Sequence, residues 1–125
     1  MNLMPGEIVG TGAETQVKLA GGAGVISSTV ATKAGQEGMT VNVGIRPEDM
    51  LVTEGDTFAY SGEVGISEAL GEVTQIYFKS GAPDINPVIA KLPGIHTSVR
   101  GKSLRLTAEA AKVHLFSNGK SLYYQ

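Results

Sequence analysis

The sequence has no cysteine and no tryptophan, and only two histidines. Without thiols there is no disulfide staple and no thiolate metal site. A zinc site would have to combine His96 and His114 with carboxylates. His114 stands between Val113 and Leu115, the setting of a structural histidine, while His96 follows the turn-forming Pro93-Gly94. Charge is scarce as well. Asp, Glu, Lys and Arg make up 18% of the chain, with a net charge of −2. So low a charged fraction points to surface covered by a partner. A negative net charge argues against a nucleic-acid-binding surface, which is usually basic. No apolar run reaches the roughly 18 residues of a membrane span. The opening Met1-Asn2-Leu3-Met4-Pro5 lacks the basic segment and apolar run of a secretory signal.

Catalytic and phosphate-binding patterns are missing too. There is no GxxxxGK[ST] loop, and Gly21-Gly22 with Gly24 lacks the lysine and helix that would make it a phosphate cradle. A hairpin turn is the reading there. No serine sits in a Gly-x-Ser-x-Gly elbow. Glu68 and Glu72 form a carboxylate pair by spacing, but they flank Ala69-Leu70-Gly71 and have no fixed separation for acid–base work. A polar or ion-pairing role suits them better. Tyr77-Phe78-Lys79 has the look of a base-stacking strand. Alternation along a strand, however, turns one of the two aromatic rings into the core.

What the chain does have is glycine, 17 in 125 residues, and short alternating apolar segments between the glycines. Val17 and Leu19 share one face of Thr15 to Leu19. Met39, Val41, Val43 and Ile45 alternate with Thr40, Asn42, Gly44 and Arg46. Pro47 stops that strand. Pro47-Glu48-Asp49 then predicts one helical turn, with proline in its first position and carboxylates near its free N–H groups. Further strands are expected at Glu7 to Gly10, Val25 to Ala31, Phe58 to Ile66, Val73 to Lys79, Val88 to Leu92, Ser103 to Thr107 and Val113 to Phe116. Leu70 is expected to seat a bend against the core, with Gly71-Glu72 between two central strands. Ala108 to Ala111 predicts a helical turn, and Asn118-Gly119 a hairpin turn closed by Ser121 to Tyr124. No segment long enough for a helix shows a 3.6-residue period. The expectation is an all-β fold of about ten short strands. A small barrel of the oligonucleotide/oligosaccharide-binding (OB) type fits this strand economy.

Four stretches, in order, carry a family resemblance. They are Met1-Asn2-Leu3, the segment Gly44-Ile45-Arg46-Pro47-Glu48-Asp49-Met50, Leu70-Gly71-Glu72 with Thr74-Gln75-Ile76, and His114-Leu115-Phe116 followed by Gly119. Together they resemble the C-terminal regulatory domain, often called a TOBE domain, of maltose- and glycerol-3-phosphate-type importer ATPases. The resemblance implies an OB-like, MOP-like barrel with interleaved segments, occupying 1–125 as one regulatory domain whose upstream nucleotide-binding domain is absent. It implies no cofactor in this segment, with ATP and Mg held by the absent domain. It further implies homodimers through the regulatory domains, contact with integral-membrane permease subunits through the ATPase half, and in some members a regulatory protein as partner. Nucleic acid is not among the implied partners. The location implied is cytoplasmic, on the inner face of the membrane.

The residues carrying the signature are Gly44, Arg46, Pro47, Glu48, Asp49, Glu68, Leu70, Gly71, His114, Phe116 and Gly119. Arg46 offers a fork of donors for a carboxylate or backbone carbonyls. It serves either as an internal corner clamp or as a contact to a dimer partner or the ATPase domain. Leu70-Gly71 either closes the barrel as a tight bend or lies at the dimer contact. Two other classes remain open: a free-standing barrel that binds a small oxyanion or sugar, and a single-stranded nucleic-acid-binding OB fold.

Overall fold

The computed structural model describes residues 1–79, 88–94, 101–117 and 120–122. Its strands are β1 (Asn2–Gly10), β2 (Thr15–Leu19), β3 (Ile26–Ser28), β4 (Thr40–Ile45), β5 (Leu51–Thr53), β6 (Tyr60–Leu70), β7 (Val73–Phe78), β8 (Ile89–Pro93), β9 (Ser103–Thr107), β10 (His114–Ser117) and β11 (Lys120–Ser121). Among the described residues only single 3-10 turns interrupt them, at Ala34–Gln36, Pro47–Asp49 and Ala110–Lys112. The all-β expectation holds.

The strands form two antiparallel sheets. One has the order β11-β10-β4-β1-β2-β3, the other β5-β9-β6-β7-β8. The chain builds most of the first sheet, leaves at Ile45 to make the whole of the second, and returns at His114 to pair β10 against β4. This return is the interleaving. The second sheet curls because β6 is shared along its length: Tyr60 to Glu63 pair with β9, and Val64 to Leu70 pair with β7. A bulge between Val64 and Ile66 marks the change of partner.

Alternation puts the core where the sequence placed it. Met4, Ile8, Val17, Leu19, Val41, Val43, Ile45 and Leu115 point inward from the first sheet, and Val64, Ile76, Phe78, Ala90, Leu92 and Leu106 from the second. Phe78 is buried and meets Tyr60 edge-on at 5.4 Å between ring centroids. Tyr77 stays half-buried, and its hydroxyl accepts a hydrogen bond from Gln75 Nε2 at 2.6 Å.

Three expectations change. β1 is nine residues long and begins at Asn2, not at Glu7. Pro5 lies inside it, paired opposite Asn42, and a proline in a central strand reads in sequence as a stop. β6 runs on to Leu70, so Leu70 does not seat a bend in the core: its side chain is 46% exposed. The bend is Gly71-Glu72 alone, with Gly71 at φ +75°, a conformation that favours glycine. The helical turn expected at Ala108 to Ala111 starts two residues later, at Ala110.

Candidate functional site

The corner after β4 holds most of the signature. Pro47 fixes the entry to the 3-10 turn. Asp49 N–H donates to the Arg46 carbonyl at 2.9 Å, and Met50 N–H to the Pro47 carbonyl at 3.4 Å. Met50 then drops into the core. The backbone and Met50 therefore close the corner. The Arg46 side chain is exposed and makes no hydrogen bond or ion pair among the described residues, so it does not clamp the corner from inside. Glu48 is exposed and Asp49 half-buried, and the two lie in the first turn.

Gly44 sits between Leu3 of β1 and His114 of β10. A Cβ there would lie 2.5 Å from Met1 Sδ and 2.7 Å from a Phe116 ring carbon. The missing side chain thus lets Met1 and Phe116 fold down over the strand. Residues alternate along β4, so Gly44 and Arg46 face the same side, the side of His114 and Phe116. Arg46, His114, Phe116 and Met1 line one cleft of about 430 Å³, with Val30 and Val113 as its apolar floor. Thr29 stands at its edge, and its backbone N–H donates to Ala110.

Glu68, Leu70 and Gly71 are not part of this cleft. They lie at the tip of the β6–β7 hairpin, where Glu68 pairs with Gln75 and Leu70 with Val73. Glu68 and Glu72 are both exposed. On the hairpin's outer face Glu68 stands between Ile66, 61% exposed, and Leu70. The signature is therefore split between two places. Gly119 and His96 lie outside the described residues, as does Asn118, while Ser117 pairs with Lys120.

One structural residue escaped the sequence reading. The buried Asn2 side chain reaches from β1 across to β8. Its Nδ2 donates to the Ile89 carbonyl at 2.7 Å, and the Ile89 N–H donates to its Oδ1 at 2.9 Å. The amide satisfies both backbone groups of a residue on an edge strand, as a neighbouring strand would. The signal was present, since Asn2 shares the inward face of Met4 and Ile8, but Pro5 concealed the strand.

The buried hydroxyls are engaged internally. Thr15 Oγ1 donates to the Val30 carbonyl and lies 2.8 Å from Thr32 Oγ1, and Ser28 Oγ donates to the Val113 carbonyl at 2.6 Å. The Ala20–Gly24 turn packs against backbone carbonyls, and its Ala20 and Gly22 N–H groups are already spent on the Pro5 and Leu19 carbonyls. A Cβ on Gly22 would meet the Phe58 and Ala59 oxygens, and the Ala23 N–H already donates to Phe58. A phosphate does not fit there, so these residues do not suit ATP. Among the described residues no three His, Asp or Glu side chains converge to hold a metal. Nor is any helix among them long and apolar enough to cross a membrane.

The chain matches the family described as the MalK OB fold domain over residues 1–50, and that described as the TOBE domain over residues 43–116. It is 49% identical over 122 residues to the alpha-glucoside transport ATP-binding protein AglK of Rhizobium meliloti, covering 97% of this chain and 33% of that protein. It is 32% identical over 126 residues to the maltose/maltodextrin import ATP-binding protein MalK of Vibrio vulnificus, again covering 97% of this chain and 33% of the relative. Against the sulfoquinovosyl glycerol transport ATP-binding protein SmoE of Agrobacterium fabrum it is 33% identical over 84 residues, 67% of this chain and 23% of that protein. The chain thus spans about a third of the length of AglK and MalK. Among solved structures, that of the cytoplasmic molybdate-binding protein ModG with molybdate bound superposes with a TM-score of 0.64 at 13% identity, covering 91% of this chain and 94% of that one. At that identity the likeness establishes a shared fold.

Proposed function

The chain belongs to the TOBE domain family, and from that membership we propose that residues 1–125 form the non-catalytic regulatory and dimerisation domain of the ATP-binding subunit of a sugar importer. ATP and Mg would bind in a separate nucleotide-binding domain of the same polypeptide. That domain would couple hydrolysis to uptake through integral-membrane permease subunits, on the cytoplasmic face of the membrane. The alignment of 97% of this chain with a third of AglK, at 49% identity, is the observation that carries this reading. The structure supports it with one core that draws on both sheets and with side chains that offer contact surface instead of a reaction centre.

The role of the domain is mechanical. By keeping two subunits together it raises the effective concentration of one ATPase half near the other. Anything that binds the paired domains then biases the opening and closing of the nucleotide sites. The outer face of the β6–β7 hairpin is our choice for the contact. Ile66 and Leu70 leave apolar surface in water there, with Glu68 between them to set register.

A chimaera tests the reading directly. The corresponding third of AglK is replaced by this chain, and alpha-glucoside uptake is measured in cells lacking AglK. Uptake within about threefold of the parent is expected, because a regulatory domain of the same class keeps the subunits paired. A chimaera that is made in normal amounts, folds, and supports no uptake would overturn the proposal.

A further inference from the structure

The Arg46 cleft is not accounted for by dimerisation or by the hairpin surface. Its floor and one wall are apolar: Val30, Val113, Met1 and Phe116. Arg46, which is exposed, lines it together with His114 and Thr29. No carboxylate lines it among the described residues, although the chain as a whole is acidic. Its volume, about 430 Å³, falls in the range of small-molecule pockets, roughly 300–1,000 Å³.

Each part has a physical consequence. A guanidinium is always charged and presents a planar fork of donors that matches a carboxylate or phosphate in a two-point contact. Among the described residues Arg46 has no anion to neutralise it, and the 3-10 turn at Pro47 holds its backbone in place. An apolar wall beside an unneutralised cation favours a ligand with both an anionic head and an uncharged body. Gly44 keeps that wall low, because Met1 and Phe116 rest in the space a side chain would take.

We propose that this cleft binds a small organic anion, a phosphate monoester or carboxylate, with its head on Arg46 and its uncharged body against Met1 and Phe116. The site lies within one chain and needs neither the importer reading nor a second copy. Occupancy would give the domain a chemical input separate from the hairpin contact.

The test is a titration of the 125-residue chain followed by backbone amide NMR and calorimetry. The probes are phenyl phosphate and benzoate, which share an anionic head on an apolar body, with inorganic phosphate and phenol as controls. Saturable binding of at least one organic anion is expected, with shifts centred on Gly44, Arg46 and His114. Inorganic phosphate and phenol should each bind at least tenfold more weakly. Arg46→Gln, an exposed substitution that leaves the fold intact, should weaken the organic anion at least tenfold, while Lys79→Gln, on the other sheet, should not. Three results would overturn the proposal: no saturable binding of either anion, shifts centred elsewhere, or an Arg46→Gln variant within twofold of the parent. Equal affinity for inorganic phosphate would also overturn it, since the apolar wall would then contribute nothing.

Discussion

Two residues show how single groups set the chemistry of this fold. Burial pushes the Tyr60 phenol up from its ordinary value of 10.0. The ionised form is therefore disfavoured in the folded chain. The stability this represents is fully present below the unfolded phenol value and is lost as pH rises through the higher folded one. Melting temperatures from pH 8 to 11 should fall more steeply for the parent than for Tyr60→Phe, and identical slopes would show that the phenol plays no part. Gly22 makes a different case. Its neighbours are backbone oxygens of Phe58 and Ala59, which cannot swing aside as a side-chain tip can. Gly22→Ala should therefore cost about 3 kcal/mol, the upper end for overpacking, read from urea midpoints. The Gly44→Ala change should cost less, because the Met1 tip it meets is flexible. Neither environment is legible in sequence: Gly22 reads as turn glycine, and nothing local announces Phe58 as its neighbour.

At the scale of elements, β2 and β4 are legible because each alternates cleanly between glycine or proline, and β7 and β9 because each follows a glycine turn and carries apolar residues. The Pro47 turn is legible for the same local reasons. β1 is misread at its start because Pro5 sits inside it. The end of β6 is misread because Leu70 looks like core, and only the two-residue Gly71-Glu72 turn turns it toward solvent. Local patterns give strand existence well and solvent-facing apolar residues poorly, since exposure depends on what packs above. The signature residues are legible as a set, but their division between a corner and a hairpin tip needs the topology. If the hairpin face is the dimer contact, Ile66→Ser with Leu70→Ser should weaken self-association at least tenfold by sedimentation equilibrium and leave the melting temperature nearly unchanged, because both side chains are already in water in the single chain. A monomeric parent at several hundred micromolar would remove the contact from consideration.

At the scale of the whole molecule, the two sheets act as one because they share a core, and specific polar links add to it. The Asn2 amide is one, and the Ala23–Phe58 backbone bridge is another. Asn2→Ala should cost about 1–3 kcal/mol by leaving the Ile89 backbone groups without their partner. Asn2→Asp should be no better, as a carboxylate cannot donate to the Ile89 carbonyl. A substitution that left the urea midpoint unmoved would mean that water replaces the amide at no cost. The return of β10 to β4 has one more consequence, for how the chain is made. Translation proceeds at about 5–20 residues per second. The β4 edge that awaits residues 114 to 116 must therefore stay unpaired on the ribosome for several seconds. Asn42, Val43 and Gly44 form that edge, so this interval is when a nascent chain is most open to chaperones and most exposed to pairing with another copy.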